Sequence, residues 1–80
     1  MSTPYQSAST RLFQESAEQL ALRLEQEGSD AARVLAHEAR ELVARFAQWN
    51  EQRPPDEVRV ETIQRLFELN RRAMDYFAAP

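Results

Sequence analysis

Eighty residues with no cysteine and one glycine exclude a disulfide scaffold, a thiolate metal site and a glycine-lined phosphate cradle. A net charge of −3, from ten positive and thirteen negative side chains interspersed along the chain, argues against a nucleic-acid binder, which would carry a basic face. A chain of this length makes one domain with a small core, burying roughly 60–65% of its unfolded surface.

All ten cations are arginine. With the abundant alanine, this matches the codon bias of a GC-rich bacterial genome. Apolar runs are a few residues long, against about 20 for a membrane span. The opening MSTPYQSAST has neither the basic nor the apolar region of a secretory leader. These features predict a cytoplasmic protein, and the initial Met reads as the start of a complete small one.

Helix 1 is predicted over 4–27. Thr3 and Pro4 suit the cap and first position of a helix; a start near Ser9, where Ser and Thr crowd together, is almost equally well signalled. Phe13, Ala17, Leu20 and Leu24 recur in steps of four, three and four and span only about 60° of the helix. Leu12 lies beside this stripe, and Leu22 on the polar side.

Gly28 stands where a helix ends in a left-handed residue, and Ser29 or Asp30 caps the next helix. So short a connection turns helix 2, predicted over 30–52, back antiparallel to helix 1. Its apolar residues Ala32, Leu35, Ala39, Leu42, Phe46 and Trp49 alternate in steps of three and four, the seam of a helix that packs lengthwise on others. Arg33, His37, Arg40 and Glu41 fall on the far side, and Glu41 and Arg45 have the spacing of an ion pair. Arg53-Pro54-Pro55 ends the helix.

Helix 3 is predicted over 56–78, with Asp56 and Glu57 at the positive end of its dipole. Its apolar residues, from Val58 to Phe77, fill an arc of about 200°, twice what a core-facing helix needs. It therefore touches two neighbours or faces another chain. The fold class that results is all-α, an antiparallel up-down-up three-helix bundle. Small Ala31, Ala32 and Ala36 should face bulky Met74, Tyr76 and Phe77. Phe46 and Trp49 should meet Val58 and Val60, with Tyr5 or Phe13 nearby.

No catalytic constellation is legible. His37 heads His-Glu-Ala-Arg-Glu, but Glu41 stands where a zinc helix needs its second histidine. Glu15, Glu18, Glu38 and Glu41 fall on solvated faces, Glu38 nearest a packing edge. The reading is a non-enzyme with no metal, cofactor or small-molecule ligand. Its expected partner is another protein or a second copy of itself, held by Leu66, Leu69, Asn70, Ala73 and Tyr76 of helix 3. Leu12, Leu22 and Val34, apolar residues on polar faces, are further candidates. Asn70 lies within the apolar arc, where a lone amide sets register or chain number. The alternative is a small nucleic-acid-binding regulator using Arg65, Arg71 and Arg72, although Glu61, Glu68 and Asp75 are interleaved with them.

Overall fold

The turn at Gly28 sets the architecture. In the computed structural model, which describes residues 8–49 and 52–79, α1 (Ala8–Glu27) is followed after two residues by α2 (Asp30–Gln48), and α3 (Asp56–Ala78) completes the bundle. Gly28 has φ 74°, the left-handed conformation that ends a helix at little cost only when no Cβ is present. Nothing lies within 4 Å of where a Cβ would stand, so the requirement falls on the backbone alone. Gly28→Ala is expected to cost about 1–2 kcal/mol, seen as a fall in the thermal midpoint.

Ser29 opens α2. Its Oγ accepts from the Ala32 N–H at 3.1 Å and shares a 2.6 Å hydrogen bond with the Tyr76 hydroxyl. The second bond joins the start of α2 to the end of α3, as an antiparallel pair requires. Ser29→Ala removes both contacts and should cost about 1–2 kcal/mol, whereas Tyr76→Phe removes one and should cost about 1 kcal/mol. Denaturant titration of the two variants checks this order.

Every residue of the α2 seam is buried: Ala32, Leu35, Ala39, Leu42, Phe46 and Trp49, joined by Ala36. The core takes Ala17, Ala21 and Leu24 from α1, and Leu66, Leu69 and Ala73 from α3. Small residues on both sides bring α1 and α2 into the most extensive helix contact, and α3 packs on that hairpin, more against α2 than against α1. Thr62 is buried within α3; its hydroxyl donates to the Val58 carbonyl at 2.7 Å, which satisfies it.

An aromatic cluster closes one end of the bundle. Phe13 stacks on Phe46 at 6.2 Å and meets Phe67 edge-on at 6.1 Å, while Trp49 stands edge-on to Phe46 at 5.0 Å. Toward the other end the Arg23 guanidinium lies 4.2 Å above the Phe77 ring. Phe13 beside Phe67 and Arg23 beside Phe77 give the same register twice, so α1 and α3 run parallel, as up-down-up order demands.

Three details differ from the sequence reading, while the Pro4 start of helix 1 and Tyr5 lie outside the described residues. α2 ends at Gln48, not at 52: the Trp49 N–H turns back to the Phe46 carbonyl at 3.2 Å, and Gln52 is in a bend. Pro54 is buried beyond that bend, and the Pro-Pro step forces extended backbone that draws the chain out of the helix early. In α1 the stripe is rotated: Ala21 is buried while Phe13 and Leu20 are only half-buried. Val58 and Val60 are exposed rather than packed beneath Phe46; Phe13 takes that place.

Candidate functional site

The broad apolar arc of α3 resolves into two parallel stripes. Thr62, Leu66, Leu69 and Ala73 are buried, and half-buried Tyr76 continues their line. Val60, Ile63, Phe67, Asn70, Met74 and Phe77 make the second stripe, in steps of three, four, three, four and three. At 100° per residue the two are centred about 110° apart. Along the second stripe Val60 is 49% exposed, Phe67 59% and Met74 70%; Ile63, Asn70 and Phe77 are half-buried, Phe77 beneath Arg23 of α1.

This corrects the expected partner face. Leu66, Leu69 and Ala73 are 1–2% exposed, so they cannot meet a partner unless the bundle opens. Tyr76 is half-buried and engaged by Ser29. The helix singled out from the sequence carries a free apolar flank, but it is the neighbouring one, with Phe67 and Met74 as its most prominent side chains. Both stripes have apolar 3-4 spacing, so the helical wheel does not rank them. The docking rotation of α3 on the α1–α2 hairpin does.

Asn70 sits within the free stripe. Its side-chain amide has no hydrogen-bond partner among the described residues. Arg59, on the edge of the same arc, reaches Asp56 with Nη2 at 3.6 Å, and its Nε is buried without a partner among the described residues.

Leu12, Leu22 and Val34 are exposed, and the first two do not share a face. Leu12 and Leu22 are separated along α1 by about 15 Å and by about 80° of rotation, and Val34 belongs to α2.

The arginines divide as well. Arg65 and Arg72 line a shallow cleft of about 210 Å³ between α2 and α3, together with Glu38, Glu41, Arg45 and Glu68. Glu38, nearest the packing edge, accepts from Arg72 Nη1 at 2.8 Å. Three carboxylates and three guanidiniums leave this cleft without net charge. Arg71 projects about 100° away, beside the free stripe. His37 is exposed and its Nε2 lies 3.1 Å from Glu41, so Glu41 engages His37 rather than the expected Arg45. Among the described residues no cluster of His, Cys, Asp and Glu has the makings of a metal site, and no helix is long and apolar enough to cross a membrane.

One two-pronged ion pair ties α1 to α2: Arg40 donates from Nε to Glu25 Oε2 at 3.0 Å and from Nη2 to Oε1 at 2.7 Å. These hydrogen bonds, opposed by desolvation and reinforced by the guanidinium charge, hold the Glu25 carboxyl below its ordinary value. Arg40 is raised for the same reason. A depressed carboxylate contributes stability that is present at neutral pH and lost as the pH falls through its folded value. Both side chains are well exposed, so the effect is small. Arg40→Gln should slightly flatten the acid limb of a stability–pH profile and change little near pH 7.

Comparison with protein-family models, with curated proteins and with solved structures gives no match.

Proposed function

We propose that this protein is a non-enzymatic helical interaction module, an adaptor, chaperone-like or regulatory subunit, that docks an apolar helix against the free flank of α3. The observation that carries the reading is the stripe from Val60 to Phe77, in which large apolar side chains stand in solvent at helix-pairing spacing. Exposed singly, such residues need no explanation; aligned over some 25 Å of helix, they form a surface of the kind that marks protein contacts. Phe67 and Met74 are the anchors. Gln64, Arg71 and Asp75 form the wet rim on the solvent side, and an incoming helix lies along the groove toward α1. A non-catalytic role is supported by the α2–α3 cleft, whose carboxylates and guanidiniums balance in number and include the short Arg72–Glu38 pair.

Position-specific photo-crosslinking in cells that make the protein tests this. A benzophenone-bearing residue at position 67 or 74 should form discrete adducts, with this chain or with another protein, and one at Gln48 or Arg65 should not. Equal labelling at all four positions, or none at 67 and 74, would count against the reading.

A further inference from the structure

We infer that the occupant of the free flank is a second copy of this chain, laid antiparallel along α3. The inference rests on the reading of that flank as a docking face and names what fills it. Three features of the stripe favour a reversed copy.

Side-chain size comes first. The stripe is light at its start and heavy at its end: Val60 and Ile63, then Phe67, then Met74 and Phe77. In an antiparallel helix pair the two seam positions of one helix alternate against those of the other. Reversal about a point between Phe67 and Asn70 sets Val60 against Phe77 of the copy and Ile63 against its Met74. Phe67 then meets the copy's Asn70. The Val60–Phe77 and Asn70–Phe67 layers each join a smaller side chain to a larger one, and Ile63 and Met74 match in size, whereas a parallel pair would stack Phe67, Met74 and Phe77 on themselves and leave the valine layer thin.

Charge points the same way. Over 56–64 α3 carries three acids and one arginine; over 65–78 it carries three arginines and two acids. Reversal lays the acidic start of each helix beside the basic remainder of the other and opposes the two helix dipoles. At the rim, Arg71 comes level with position 66 of the copy, within two residues of its Gln64 and Glu68. A parallel pair would place the acidic starts together.

The third feature is Asn70, whose amide has no partner among the described residues. In the reversed pair the two Asn70 side chains straddle the twofold axis, about 4.5 Å apart along the helix direction at 1.5 Å per residue. An amide offers both a donor and an acceptor, so each satisfies the other. A different protein would have to supply a matching polar group at that depth; a copy supplies it by symmetry.

The test uses the purified full chain. Light scattering over a concentration series should give a mass of twice 9.3 kDa. Phe67→Glu with Met74→Glu should keep the helical circular dichroism and raise the dimer dissociation constant at least 100-fold. The chain has no cysteine, so orientation is read from single thiols: an equimolar mixture of V60C and F77C chains should oxidise mainly to the mixed disulfide. A monomer at every concentration, an oligomer indifferent to the double variant, or preferential V60C–V60C bonding overturns the proposal. A monomeric purified chain that still gives position-67 adducts with another protein in cells would overturn the self-pairing and leave the docking face standing; loss of both would remove both.

Discussion

Phe46→Ala is expected to unfold a substantial part of the population at 25 °C. Phe46 is fully buried, and its ring carries the aromatic cluster that joins the three helices, stacked on Phe13 and edge-on to Trp49. Alanine would leave a void between rigid rings that cannot collapse into it. Such a truncation costs about 3–5 kcal/mol. A domain of this length has a total stability of about 4–12 kcal/mol, so the loss takes a large share of it. Leu42→Ala, on the same seam, should cost about 2–5 kcal/mol. His37→Ala, which removes only an exposed contact to Glu41, should cost almost nothing. Urea titrations of the three variants should rank them in that order; a larger loss for His37→Ala would mean that α2 is rotated.

Neighbouring residues on α3 should respond in opposite ways to the same change. Leu66→Glu puts a carboxylate at a site 1% exposed among apolar side chains. The group must either stay protonated or drag water into the core, at a cost of several kcal/mol, and the helical signal should collapse. Phe67→Glu, one residue on, places the same group in solvent. It forfeits the edge contact with Phe13, worth about 0.5–1.5 kcal/mol beyond the area lost, and the chain should remain folded. Far-ultraviolet circular dichroism at low concentration separates the two. If both variants fold, or both collapse, α3 is not divided into a core flank and a free flank.

The sequence carried different amounts of information for each helix. In α2 the seam from Ala32 to Trp49 was fully readable, because its 3-4 spacing picks out one face and the far side is charged. In α1 the helix was plain but its rotation was not. Ala21 is buried where Leu20 is half-buried, since close packing against the alanines of α2 prefers a small side chain to a larger apolar one. The end of α2 was placed too late, because a proline pair announces a break without saying how many residues the chain needs to swing round.

The candidate site was readable to the level of the helix and no further. A 200° arc holds two stripes of equal periodicity, and the choice between them is made by the Ser29–Tyr76 bond and the alanine-lined hairpin, which are contacts between distant residues. Leu66, Leu69 and Ala73 looked as free as Phe67 and Met74 until those contacts fixed the rotation. Asn70 was visible as an oddity from the start, but that its amide finds no partner among the described residues needed the surroundings.

The most direct measurement of this division is solvent paramagnetic relaxation of the side-chain methyl groups in the Phe67→Glu variant, where the free flank should stay uncovered. A soluble paramagnet should strongly broaden the Met74 and Val60 methyls and leave those of Leu66 and Leu69 almost untouched. Broadening of Leu66 and Leu69 with protection of Met74 would place the other stripe in the core and contradict the account.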